Sequence, residues 1–142
     1  MAKPENDRRT NRSDNQRDSL TNLLDYTRMK GGFQQALIVD DEGELVASST
    51  PMGDAATLAP MASVLQKTAG TLSGPISFRQ AETVVIQATQ GNSMACHFFE
   101  GKFDGAVIAT IDGKMPSSAE KILASTAESC LRIIQERKRK NE

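Results

Sequence analysis

Apolar positions along this chain change their period several times, and each change marks an element. The stretch ALIVDDEGELVAS, Ala36 to Ser48, holds two apolar runs split by Asp40, Asp41, Glu42 and Gly43, the pattern of a tight strand-turn-strand unit. Gly43 can take the positive φ such a turn needs, and the acidic side chains offer oxygens to its free backbone NH groups. Three more strands are predicted as ETVVIQAT (Glu82 to Thr89), SMACHFF (Ser93 to Phe99) and GAVIATI (Gly105 to Ile111). Turns at Gln90 to Asn92 and Glu100 to Asp104 make them a meander. In the first, Val84, Ile86 and Ala88 alternate with Thr83, Gln87 and Thr89, as expected of an edge strand with one buried face. The runs AVIATI and ALIV are almost continuously apolar, which places those strands centrally with helices over both sheet faces.

Helical periods fill the remaining segments. Asp18 or Ser19 caps a short helix whose Leu20, Leu23 and Leu24 share a face, and Gly31-Gly32 breaks it. A second helix, capped at Asp54 or Thr57, carries Leu58, Met61, Ala62, Leu65 and Ala69 as a stripe and stops at Gly70. Pro60 fits its first turn if the helix starts at Thr57. The last helix follows Pro116, with Ser117 or Ser118 as cap and Glu120 near the positive dipole end. Its Ala119, Ile122, Leu123, Thr126, Ala127, Cys130, Ile133 and Ile134 recur at spacings of three and four, so Ile122 and Ile134 are expected in the core. The predicted class is α/β (α+β): a central five-stranded, mainly antiparallel sheet with helices on both faces. Its order is helix, two strands, helix, three strands, helix.

Composition divides the 142 residues into a polar tail over 1–17, one body over 18–136 and a basic end over 137–142. The tail has no apolar periodicity and is expected to be disordered. A formal net charge of -1 argues against a polyanion binder, and the bases of the tail are interleaved with acids, so no nucleic-acid partner is expected. No apolar stretch approaches the roughly 18 residues of a membrane span, and no apolar signal core opens the chain, which predicts a soluble cytoplasmic protein without membrane insertion.

Candidate chemistry is sparse. The acidic turn lacks the spaced oxygen ligands and closing Glu of a Ca²⁺ loop, so no metal site is assigned. Cys96 and Cys130 lack C-x-x-C spacing and sit in apolar surroundings, which suits buried reduced thiols. His97 is the single histidine, and as the strand neighbour of Cys96 it points to the opposite face, so the two cannot act as nucleophile and base. There is no G-x-x-x-x-G-K-[ST] loop to hold a nucleotide phosphate. Neither catalytic residues nor a cofactor are assigned.

From about Ser19 to Glu136, the hairpin ALIVDDEGELVAS, the helix TLAPMASVLQKTAG, the segment ETVVIQATQGNSMACHFFEGKFDGAVIATIDG and the terminal amphipathic helix together resemble the roadblock family. Longin and profilin-like domains share much of this architecture. The resemblance implies a homodimer in which the third strands pair edge to edge and the second helices lie side by side, with Glu82, Val84, Val85, Ile86, Met61 and Leu65 at the interface. Such pairing would hide an apolar edge that has no Lys or Pro to guard it. An edge covered by the chain's own Ser73 to Arg79 segment is the other arrangement the sequence allows. The resemblance also implies a small Ras-like GTPase as partner, with Asp54, Thr57, Gln66 and Lys67 facing it, and no chemistry of the chain's own. A structural adaptor without GTPase contact is the alternative.

Overall fold

The computed structural model describes residues 5–73, 83–99 and 104–140, with side chains over 16–68, 83–99 and 104–135. Its elements are α1 (Glu5–Gly31), β1 (Gln35–Asp40), β2 (Leu45–Ser48), α2 (Ala55–Leu58), α3 (Met61–Ser73), β3 (Thr83–Ile86), β4 (Asn92–Phe99), β5 (Gly105–Asp112) and α4 (Ala119–Lys140). The strands form one sheet in the order β2-β1-β5-β4-β3, and every neighbouring pair is antiparallel. The two nearly continuous apolar runs, β1 and β5, lie inside the sheet as expected, and β3 forms an edge.

Strand alternation divides the core into two halves because both faces of the central strands are apolar. Ala36, Ile38, Val107 and Ala109 pack with Leu20, Leu24, Leu123 and Ala127 of α1 and α4. Leu37, Val39, Cys96 and Ile108 pack on the other face with Ala55, Ala59 and Ala62 of α2 and α3. The alanines bring the second helical layer close to the sheet, and Leu58 and Leu65 fill in beside them.

The β1–β2 turn behaves as its residues dictate. Gly43 has φ +82°, and Asp40 Oδ1 accepts hydrogen bonds from the backbone N–H groups of Glu42 and Glu44, each at 2.9 Å. Gly43 is buried against Pro60 and Ser63, which ties the acidic tip to the junction of α2 and α3.

Five boundary expectations are corrected. The first helix begins at Glu5, not at a cap on Asp18 or Ser19, so the backbone over 5–17 is helical where an irregular tail was expected. Once Leu20 and Leu24 anchor a helix, adding residues to it is nearly neutral even without an apolar face. The second helix is split: Pro60 lacks the N–H needed to continue α2, which is one turn long, and α3 restarts at Met61. Asp54 precedes α2 without a side-chain cap hydrogen bond. Gly70 does not stop α3, which runs to Ser73, since one glycine costs a helix only about 1 kcal/mol. The third strand ends at Ile86 because Gln87 leaves the ladder, its Oε1 accepting from Met115 N–H at 3.1 Å. Ile122 and Ile134 are half-buried at the margin of the stripe, not in the core. The GPISFRQ segment, Glu82 and most of the Glu100 to Asp104 turn lie outside the described residues.

Two threonines join the helices of the first layer. Thr27 Oγ1 and Thr126 Oγ1 are 2.7 Å apart and buried, and each also lies 2.9 Å from the carbonyl four residues earlier, of Leu23 and Ile122 respectively. Two hydroxyl protons serve three contacts, so one hydroxyl donates across the interface and the other donates to its own helix. Thr27→Val therefore removes the bond across the interface, leaves Thr126 donating only to Ile122 O, and is expected to cost about 1 kcal/mol. The double Thr27→Val/Thr126→Val variant should recover most of that loss, a coupling that urea titration of the four-member cycle measures.

Both thiols are shut in the core on opposite sides of the sheet, so no disulfide joins them. Burial pushes Cys96 and Cys130 each up from 9.0 to about 12. Above pH 9 the unfolded chain releases these protons while the folded chain keeps them, so stability is full below that pH and falls as pH rises towards 12. The expected slope is about 1.4 kcal/mol per pH unit for each thiol. Denaturant titrations of a Cys96→Ala/Cys130→Ala variant should show a flatter alkaline decline than the parent.

Candidate functional site

The outer margin of β3 carries the most exposed apolar surface of the sheet. Register places Val84 opposite Cys96 and Ile86 opposite Met94, so both point to the α3 side. Val85 stands opposite Ala95 and points to the α1 and α4 side. Yet Val85 is 44% and Ile86 47% exposed, while Val84 is half-buried. The expected alternation of buried and open positions is therefore absent, because α3 packs on β4 and leaves Ile86 uncovered. Both faces of β3 end in open apolar groups, and among the described residues no strand pairs with its outer edge.

On α3, Leu65 is half-buried against the second core half, whereas Met61 is 43% exposed. Val64, which the sequence stripe passed over, is 63% exposed and lies three residues from Met61 on the helix. An apolar residue just outside a buried stripe was the signal available for it. The structure thus sets Met61 and Val64 on the same side of the sheet as Ile86, with Val64 an open apolar residue that the sequence reading did not name. Glu82 lies outside the described residues.

The four residues expected to face a partner are all exposed and are spread over the start of α2, α2 itself and α3. Asp54 borders a cavity of about 200 Å³ together with Gln34, Gln35 and Asn92, at the start of α2. Thr57 is on the single turn of α2, and Gln66 and Lys67 lie beyond the Pro60 break on α3.

Cys96 and His97 point to opposite sides of the sheet. Cys96 is in the core half under α2 and α3, and its raised pKa keeps it a thiol at neutral pH. His97 is buried across from Thr83, with Nδ1 2.9 Å from Thr83 Oγ1. That contact ties the only histidine to the edge strand. Among the described residues no group of three His, Cys, Asp or Glu side chains could hold a metal ion, and no helix is long and apolar enough to cross a membrane.

Element order, sheet order and two helical layers give a roadblock/profilin-like fold. Solved structures agree with that class. The chain is similar to Myxococcus xanthus MglB, with 83% of this chain and 95% of that one covered at 16% identity and a TM-score of 0.66. It is likewise similar to the gliding protein MglB of Thermus thermophilus, covering 85% and 92% of the two chains at 18% identity and a TM-score of 0.67. A Roadblock/LC7 domain from Streptomyces avermitilis covers 81% of this chain over 97% of its own, at 15% identity and a TM-score of 0.66. No family model and no curated protein matches the sequence.

Proposed function

We propose that this chain is a cytoplasmic, non-catalytic homodimer that regulates or scaffolds a small Ras-like GTPase. The observation that carries the reading is the β3 margin: an edge strand with Val85 and Ile86 open, beside a helix that leaves Met61 and Val64 open. A lone chain gains nothing from such an edge and risks aggregation through it. A two-fold axis beside β3 joins the two sheets and sets the α3 helices next to each other. Roadblock domains serve Ras-like GTPases in this dimeric form, and the likeness to two MglB structures supports the same role here. The exposed Gln66 and Lys67 then lie on the helical face of the dimer, where a partner docks.

The test is titration of the purified protein with a Ras-like GTPase from the same genome, loaded with GTP or with GDP, followed by single-turnover hydrolysis. Binding that depends on the nucleotide supports a regulator, and binding in both states without a rate change supports a scaffold. A dimer that binds neither form would overturn the GTPase reading and leave a structural adaptor.

A further inference from the structure

The face of the fold opposite α3 carries a groove that neither the dimer edge nor the GTPase reading uses. It runs between α1 and α4 and encloses about 450 Å³. Its deepest point is the Thr27–Thr126 hydroxyl pair, with Leu23 and Ile122 half-buried beside it. The α1 side is formed at positions 23, 26, 27 and 30, and the α4 side at 121, 122, 125, 126 and 129, with Ser118 just before the helix. Each set follows the three-and-four spacing of one helical face, so each helix turns a continuous face to the groove over eight or nine residues, or about 10–12 Å. Ser125 and Ser129 are small, which keeps the α4 wall low, and Tyr26 stands 62% exposed on the α1 wall.

This shape suits a third helix. A groove between two packed helices, with one wall kept low by Ser125 and Ser129, accepts the side-chain ridge of an incoming helix. A small ligand fits it poorly, because the two deepest hydroxyls already satisfy each other and most of the other polar side chains of the lining, Tyr26, Lys30, Ser118, Lys121 and Ser125, are exposed to solvent. Charge selects the occupant. The charged residues lining the groove are Lys30 and Lys121, both exposed cations, and no acidic residue lines it. Lys30 Nζ lies 5.8 Å from the centre of the Tyr26 ring, which joins cation and apolar surface in one patch. The chain's own basic end at 137–140 is repelled from such a groove, and a second copy docking by the same face brings lysines against lysines.

We propose that the groove between α1 and α4 is a docking site for an acidic amphipathic helix of a partner protein, with apolar residues over Leu23 and Ile122 and carboxylates beside Lys30 and Lys121. The site is independent of the GTPase reading, since it occupies the opposite layer of the fold.

Two synthetic helical peptides test it, one with a leucine ridge flanked by glutamates and the other with lysine at every glutamate position. Titrated into the full-length, ¹⁵N-labelled protein, the glutamate peptide should shift amide signals of α1 and α4 around Tyr26 and Ser125, and the lysine peptide should not. Lys30→Glu/Lys121→Glu changes only exposed side chains, so the fold should persist while affinity for the glutamate peptide falls at least tenfold. Ser125→Trp, which fills the groove without altering charge, should block the peptide as well. Equal binding of both peptides, no shift with either, or undiminished affinity in the double variant would overturn the proposal. So would concentration-dependent signals in the groove that Ser125→Trp abolishes, because a second copy would then be the occupant.

Discussion

Leu123→Asp is expected to leave the protein without a cooperative unfolding transition. Leu123 is fully buried and belongs to the core half that contains Leu24, Phe33, Ile38 and Val107, so α4 is held to the sheet at that point. Loss of the leucine alone costs about 2–5 kcal/mol. The aspartate adds the cost of an unpaired carboxylate in an apolar site, and the combined penalty reaches the roughly 5–15 kcal/mol that holds a domain of ordinary stability. Thermal melts followed by circular dichroism should show a broad, featureless decline. Leu123→Ala should remain folded and melt lower. Ile122→Asp, one residue away, should be much milder, about 1–2 kcal/mol, because its half-buried side chain opens on the groove and its carboxylate reaches water. A Leu123→Asp protein that melts cooperatively near the parent temperature would show that α4 does not close the core.

That one-residue contrast marks how far the sequence could be read. Strand alternation and continuous apolar runs identified the central pair β1 and β5, and the DDEG turn located the first hairpin, since these features are written in the local order of residues. The depth of burial was less legible. Ile122 and Leu123 are equivalent in a helical stripe until the position of α1 decides which of them meets the sheet. The same applies to β3, where the alternation of Val84 and Ile86 predicted a covered face, but α3 rests on β4 and leaves the edge open. Pro60 was visible as a problem for the second helix, and its solution, a break into α2 and α3, depended on the hairpin tip at Gly43 packing there. The groove at Lys30 and Lys121 was not legible at all, because those residues are 91 positions apart and only the fold brings their helices together.

The variant Val85→Lys/Ile86→Lys is expected to convert a dimer into a folded monomer. Both side chains are more than two-fifths exposed and lysine stems can lie along the strand, so within one chain the two substitutions should cost only about 1 kcal/mol. Across a two-fold axis the consequence is different. Antiparallel pairing of identical edges sets each residue near its own copy or a close neighbour, so four lysines crowd one short ladder while the apolar contacts they replace are lost. Edge lysines are also the device by which isolated sheets avoid pairing. Light scattering after gel filtration should show the mass halved, with a cooperative melt that is lower than the parent's by the dimer's linkage stabilisation and no longer depends on concentration. Val64→Lys on α3 should weaken the dimer less, because it removes a helix contact and leaves the strand ladder intact. On the proposed function, GTPase affinity should fall in step with dimer content, since a site that both α3 helices contribute to would be incomplete in one subunit. A parent protein that is monomeric at about 100 times the concentration used for GTPase binding, or a Lys/Lys variant of unchanged mass, removes β3 as the self-association edge; a monomer with full GTPase affinity keeps the edge and removes the composite site.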